Sequence, residues 1–523
     1  MAPPFLLSIG VDIGVSGSWG TGISPGEETL SLLKLALLHP DNLQYDHRQY
    51  PDRVKAVVDI LDKIREAGKT GVMAVAQYIS CLWNEAQPHL ARLLQYHHLG
   101  PGDVDVRFVF GIPAVWDEPT IMRMKEAIRQ SRVCIVNGQP LPASTTFIPE
   151  PEAAAIAVIP DMAQRHGLEV GQTVMICDCG GGTVDVISYE IACLSPLIVK
   201  ECVPGEARLL GDVFLKIGLG VLIKEQIEET DLGEDVDKVA LQTEIEAAWN
   251  KVRDMEWKDL IKATWSLKVH VQRLSGGRQQ RVILAGHDIL SLLKTITDGI
   301  LELAQTQVNA VRTHTGRVPD FAVVVGGFGN NDFLMTELRN HFSNRVKLVF
   351  TNMDGQLVVK DGAAISGVRG SLAPVNTPGL NGVDHLQLDN AWSHIHIGSR
   401  VARCSYGFLD ASGATVQVNW FISKGQDVPV DPHAGVMIPK TVFIAATENC
   451  VDIFYTPGTM TRQSALNKSP PLSRVCHVRY KPADHLGQPF SLVLAPRVSG
   501  RTVQFEILNK GDVDPTEFTI EYC

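Results

Sequence analysis

The sequence predicts an α/β protein closed by an all-β module, and three observations carry that reading. Through the first two-thirds of the 523 residues, short apolar runs alternate with amphipathic stretches of helical length, the pattern of α/β layers. A strand–Asp–small-residue turn occurs twice, at Val11-Asp12-Ile13-Gly14-Val15-Ser16-Gly17-Ser18 and at Cys177-Asp178-Cys179-Gly180-Gly181-Gly182-Thr183-Val184. The repeat suggests two related half-domains facing each other. From about Gly370 the helical pattern stops and only short alternating runs follow.

The elements can be taken in order. Apolar runs predict strands over Leu6–Val11, Arg107–Gly111, Thr173–Asp178, Val184–Tyr189, Val282–Ala285, Phe321–Val325 and Lys347–Phe350. Helical spacing predicts helices over Asp52–Ala67, Val72–Tyr96, Thr120–Ser131, Glu152–His166, Val213–Thr230, Val236–Trp257, Ile289–Thr315 and Asp332–Phe342. Residues 1–370 therefore read as one α/β region with half-domains at about 1–170 and 171–370. Residues 371–392, rich in Pro, Gly, Asn and Asp, read as a linker. Residues 393–523 read as a β-rich module, a sandwich in expectation, with strands over Thr415–Phe421, Thr441–Ala446, Val451–Tyr455, Val475–Tyr480, Phe490–Ala495, Thr502–Leu508 and Glu517–Tyr522.

Composition narrows the function classes. Hydrophobic residues make up 45% and charged residues 20%, ordinary usage for a chain with a sizeable core. The net charge of −11 gives no basic excess for nucleic acid. No apolar stretch approaches the roughly 18 residues that span a bilayer. The N-terminus is apolar but its first Lys or Arg is Lys34, so no signal peptide is expected and a cytoplasmic location is. The ten cysteines form no CxxC pair. Cys177 and Cys179, flanking Asp178, read as small core residues.

Two familiar patterns fail. Ala67-Gly68-Lys69-Thr70 looks like the end of a P-loop, but position 63 is Lys and the segment follows a helix. Gly326-Gly327-Phe328-Gly329 is not the dinucleotide fingerprint. The strongest signal is Asp178-Cys179-Gly180-Gly181-Gly182-Thr183-Val184-Asp185. Three glycines remove every Cβ from a tight turn, so backbone N–H groups can approach a phosphate closely. Thr183 adds a hydroxyl, and Asp178 and Asp185 bracket the turn where carboxylates hold hydrated Mg²⁺ or orient water. A plain glycine hairpin with two solvated aspartates remains the alternative.

The segment Ile176–Ile187 resembles the second phosphate loop of the heat-shock-70 family, and five further segments match that family in order. Val11–Ser18 resembles the first phosphate loop, with Asp12 at the magnesium-facing position. Phe108–Ala114 resembles the strand that ends in Val-Pro-Ala. Ile148–Ala155 resembles the first connecting segment, Val323–Gly327 the adenosine loop, and Asp361–Ala364 the second connecting segment. The resemblance covers roughly residues 5–370 and is to a divergent, lid-less branch. It implies a two-lobed actin-like ATPase (ribonuclease H-like) fold that binds ATP or ADP with Mg²⁺.

The resemblance also implies roles. Glu150, Asp178, Asp185 and Thr183 would serve hydrolysis, Glu150 by positioning water and Thr183 at the γ-phosphate. Gly14, Val15 and Ser16 would cradle phosphates from one side and Gly180, Gly181 and Gly182 from the other. Gly326 and Gly327 would pass under the adenosine. Arg253 would stack on adenine, or be a solvated helix charge. Asp12 and Asp178 would face the metal. Read without the family, Glu150 favours a helix dipole and Asp12 is a strand-end turn residue.

The chain departs from the family in two places. The usual Gly-Thr-Thr becomes Gly14-Val15-Ser16, which removes a hydroxyl. The interval after this loop is too short for the several strands that the family places there, and its catalytic lysine is left unassigned: Lys34 and Lys69 are both present, and neither has a matching context. Three readings therefore stand: a weakly hydrolysing ATP-binding chaperone-like protein, with polypeptide clients or a protein partner on the β-module; a catalytically silent nucleotide sensor; and a sugar or metabolite kinase.

Overall fold

The structure is a computed structural model. It describes residues 5–13, 32–38, 48–114, 116, 118–133, 135–136, 139–140, 143–228, 236–253, 255–256, 258, 266–273, 280–342, 345–349, 355, 357–369, 395–402, 405–410, 417–430, 442–446, 450–456, 473–480, 490–499, 502–507 and 518–522. The chain divides into two compact units, one of residues 1–162, 174–187 and 205–368, the other of residues 163–173, 188–204 and 369–523.

In the first unit, β1 (Phe5–Val11), β2 (Val104–Ile112) and β5 (Ala143–Pro149) form a parallel sheet in the order β1–β2–β5; β3 (Ile135–Val136) and β4 (Gln139–Pro140) form a small ladder. The central strand β2 is buried almost throughout, as a parallel strand covered on both faces must be. Trp83 of α2 (Gly71–Tyr96) meets Phe108 edge to face at 5.4 Å, and α3 (Glu118–Ser131) adds Met124 and Ala127 to the same core. β5 escaped the pattern reading because Ser144, Thr145 and Thr146 are exposed on an edge strand.

The same unit holds β6 (Thr173–Cys179), with the first parts of β7 (Val184–Leu194) and the last of β8 (Leu197–Arg208), and β11 (Phe321–Val325) and β12 (Lys347–Val349), ordered β12–β11–β6–β7–β8. β11 runs parallel to both β6 and β12, and β6 and β11 are buried at every residue. The hairpin β9 (Ser266–Val271) and β10 (Gln280–Ala285) alternates buried and exposed along β9, with Leu267, Val269 and Val271 in the core beside Trp249.

Seven more helices lie in the first unit among the described residues, with α4 (Glu150–His166) running beyond it from residue 163. α1 (Pro51–Glu66) starts on a proline, whose missing N–H costs nothing in a first turn. α5 (Val213–Glu228) and α6 (Lys238–Arg253) come next. α6 starts two residues later than the sequence pattern implies because Asp237 accepts from the N–H groups of Val239 and Ala240, both at 3.0 Å. α7 (Gly286–Thr315) stops at Gly316, which has φ 77°. α8 (Asp332–Phe342) matches its expected bounds, and α9 (Val358–Arg369) was not read as a helix because its apolar residues follow no single face. α9 crosses α4 so closely that a Cβ on Gly362 would run into the Ala153 carbonyl. No described helix is long and apolar enough to cross a membrane.

In the second unit, β13 (Ile395–Val401) pairs parallel to β8, and β16 (Asp427–Pro429) antiparallel to β13. Glu201 of β8 accepts from Val401 N–H at 2.9 Å. Strands β14 (Ser405–Asp410), β15 (Gln417–Ile422), β18 (Cys450–Thr456), β19 (Ser473–Tyr480) and β22 (Phe518–Tyr522) form one antiparallel sheet; β17 (Val442–Ala446), β20 (Phe490–Ser499) and β21 (Thr502–Ile507) form another. Every described element from Ile395 onward is a strand.

Candidate functional site

Asp178 is the penultimate residue of β6, and its carboxyl is buried. The turn beyond it is closed by the Gly180 N–H donating to the Thr183 carbonyl at 3.0 Å. The start of α5 braces this turn. Gly211 N–H donates to Gly182 O at 3.1 Å and Val213 N–H to Gly181 O at 3.0 Å. A Cβ on Gly211 would collide with the backbone of Gly181 and Gly182, so glycine is required there. On the neighbouring strand, Gly326 follows β11 with φ 86°, and a Cβ would press on Cys179 and on the Asp178 carboxylate. Its N–H donates to Gly355 O at 3.1 Å.

A second group arrives from distant parts of the chain. Asp12 follows β1, and Glu150 opens α4 where β5 ends. Between them in sequence, a 3₁₀ turn at Leu33–Leu37 carries Lys34, which is only 3% exposed. Lys34 Nζ donates to Glu150 Oε1, lies 3.7 Å from Asp12 Oδ1 and stands 6.0 Å from the Trp116 ring. Lys69, the other lysine that the sequence left open, lies on the surface and donates to Gln77 at 2.6 Å. No sequence pattern marks Lys34: its neighbours Leu33, Leu35, Ala36 and Leu37 read as core.

These groups line one cleft of about 250 Å³ inside the first unit. Asp12, Glu150, Asp178, Gly180–Thr183, Gly326, Gly327 and Arg253 all face it, joined by Lys34 and Asp212. Asp185 stands just behind, its Oδ1 accepting from Ala114 N–H at 2.9 Å. Gly14, Val15 and Ser16 lie outside the described residues. The pattern reading leaves Lys34 open beside Lys69 and misses Asp212. Its only signal was its place before α5, and one of its carboxylate oxygens, Oδ1, is buried without a hydrogen-bond partner. Such an atom is costly unless a ligand or water meets it.

The electrostatics follow from packing carboxylates together out of water. Burial, then the charges of Asp185 and Asp12, push Asp178 up to about 8, while Lys34 opposes the shift. Burial pushes Asp185 up to about 6 against the Ala114 N–H and Thr183 hydroxyl that it accepts from. Burial also raises Asp212 to about 6 against Arg253 and Lys216. Lys34 is lowered by burial, held back by Asp12, Asp185 and Asp178. The Cys177 thiol is pushed up to about 12 by burial and Asp178, and Cys179 is raised well above its usual value, so both stay protonated and inert.

The arrangement offers backbone N–H groups on a glycine turn, a buried lysine and a cluster of carboxylates. That set suits an anion brought in with a hydrated divalent cation. Among the described residues no three carboxylates, histidines or cysteines stand close enough to hold a metal alone. A cation at Asp12 and Asp178 would complete its shell with ligand oxygens and water. No family model matches this chain.

Proposed function

We propose that this chain is an ATP-binding, chaperone-like protein of the actin-like ATPase type, related to the lid-less heat-shock-70 proteins, that hydrolyses nucleotide slowly in a cleft between two half-domains. The observation that carries the reading is the convergence of Asp12, Lys34, Glu150 and Asp178 with the glycine turns at 180–182 and 326–327 around one cleft. Phosphoryl transfer to water needs chiefly positioning and charge stabilisation, and this set is suited to both. Gly181 and Gly182 would hold phosphate oxygens on the turn that Gly180 closes with its bond to Thr183, and Lys34 would neutralise them. Asp12 and Asp178 would hold Mg²⁺ through water. Glu150, freed from Lys34, would orient the attacking water, with Asp185 fixing Thr183. Gly326, Gly327 and Arg253 would hold the adenosine. Nucleotide state would then be passed to the β-module, which would take polypeptide clients or a protein partner, in the cytoplasm.

A second reading, a silent nucleotide sensor, has its own support. Lys34 and Glu150 engage each other, and Val15 replaces a hydroxyl residue. The test is thermal unfolding with and without Mg²⁺-ATP or Mg²⁺-ADP, on the wild type and on Asp178→Ala and Gly181→Asp. A ligand at a hundredfold excess over Kd stabilises by about 2.7 kcal/mol. A shift in the wild type that both variants lose supports the site, and phosphate release then separates slow hydrolysis from sensing. No shift at millimolar nucleotide defeats both readings.

A further inference from the structure

The cleft carries one carboxylate to which the nucleotide reading gives no role. Asp212 follows Gly211, whose N–H donates to Gly182 O, and precedes Val213, whose N–H donates to Gly181 O, so the glycine turn fixes the backbone on both sides of it. Its carbonyl accepts from the N–H groups of Leu215 and Lys216 at 3.0 and 3.3 Å and opens α5. The side chain lines the cleft, and among the described residues nothing bonds to its Oδ1. Arg253, the last residue of α6, lines the same cleft and acts on the Asp212 charge more strongly than any other side chain. Lys216, itself paired with Glu246, comes next.

We propose that Asp212 accepts a hydrogen bond from a ribose hydroxyl, and that the cleft thereby selects ribonucleotides over deoxyribonucleotides. The inference rests on the nucleotide reading above and names the part of the nucleotide that is read. Chemistry narrows the partner of this carboxylate. Burial raises it to about 6, which leaves it mostly ionised at neutral pH, and an ionised carboxylate can only accept. A phosphate offers no donor and repels it. A second metal ion there would meet the positive charges of Arg253 and Lys216. A neutral donor remains, and a nucleotide has two kinds, the hydroxyls of its sugar and the amino group of its base.

Position decides between them. Asp212 is flanked by the two residues that brace the turn at Gly181–Gly182, where phosphates would bind, and Arg253, which would hold the base, belongs to the next helix. A ligand running from the turn to Arg253 brings its sugar past Asp212. The carboxylate is also held in place. A Cβ on Gly211 would collide with the backbone of Gly181 and Gly182, so the segment sits directly on the turn. A nucleotide without the hydroxyl would shut Oδ1 away from water with no partner, and sites built around such a bond reject the shortened ligand.

The experiment measures by calorimetry, with Mg²⁺, the Kd of ADP, 2′-deoxy-ADP, 3′-deoxy-ADP and inosine diphosphate for the full chain, and repeats it for Asp212→Ala and Asp212→Asn. The wild type is expected to bind ADP about tenfold or more tighter than at least one of the deoxynucleotides. That preference should vanish in Asp212→Ala and be intermediate in Asp212→Asn, which keeps one acceptor oxygen. The wild-type ratio needs no variant, so a substitution that fails to fold does not shield the proposal. Equal binding of the three adenine nucleotides by the wild type overturns it. So does a preference unchanged in Asp212→Ala, or the loss in that variant of a preference for ADP over inosine diphosphate instead. A wild type that binds none of the four defeats the nucleotide reading and this inference together, an outcome distinct from binding them all alike.

Discussion

The glycine turn at Gly180–Thr183 and the Lys34–Glu150 pair face the same cleft and are built in opposite ways. The turn is local: strand, Asp, three glycines and Thr follow one another, closed by their own hydrogen bond and braced by Gly211 and Val213. The pair is assembled from a 3₁₀ turn and the first residue of a helix 116 positions later, and both partners are buried. A local turn tolerates loss of one hydrogen bond, because its neighbours still hold the chain. A buried ion pair does not tolerate loss of one partner, because the other is left charged and dry.

The largest expected effect tests the pair. Lys34→Met leaves the Glu150 carboxylate buried beside Asp12 and should cost about 3 kcal/mol in chemical denaturation. Adding Glu150→Gln should restore part of that loss. An additive double variant would show the pair to be energetically idle and end the contrast.

Next comes the brace of the turn. Gly211→Val drives side-chain atoms into the backbone of Gly181 and Gly182, at about 1–3 kcal/mol, and should lower the thermal midpoint and displace the turn. A midpoint equal to wild type would mean that the turn is slack rather than fixed.

The pH dependence sharpens the comparison further. Asp178, Asp185 and Asp212 are held above the usual carboxylate range, so the folded chain keeps protons that the unfolded chain has released. Their contribution is fully present below the unfolded pKa and is lost as pH rises through about 6 and then about 8. Lys34, lowered from 10.5, works with the opposite sign in the alkaline range. The thermal midpoint of Asp178→Asn should therefore fall less between about pH 5 and pH 8 than that of the wild type. An identical slope in the two proteins would remove Asp178 as its source.

The smallest effect is the control. Lys69→Met removes an exposed lysine bonded to Gln77 and should change stability by less than about 0.5 kcal/mol and leave nucleotide-induced stabilisation intact. A larger loss would mean that the two lysines are not separated by burial as the structure has it.

Much of the fold is legible because its periods are strong. β6 and β11 are continuous apolar runs, and α7 and α8 keep one apolar face over their length. What escaped is informative. β8 carries Pro204 and Gly205, which interrupt its apolar run, and β9 has only three apolar residues, Leu267, Val269 and Val271, all on one face. α9 is apolar without a period because it is packed by both β1, at Gly10, and α4, at Ala153.

The amino-acid order by itself determined the α/β character, the strand-rich C-terminal run and the glycine turn with its flanking aspartates, since each is written in a window of ten or so consecutive residues. Only the tertiary structure decided which lysine enters the cleft and that Asp212 faces it with an unpaired oxygen. A single Lys among leucines has no period and no motif. Its meaning is set by the charges that folding brings against it, Asp12 from 22 residues before and Glu150, Asp178 and Asp185 from more than a hundred residues after.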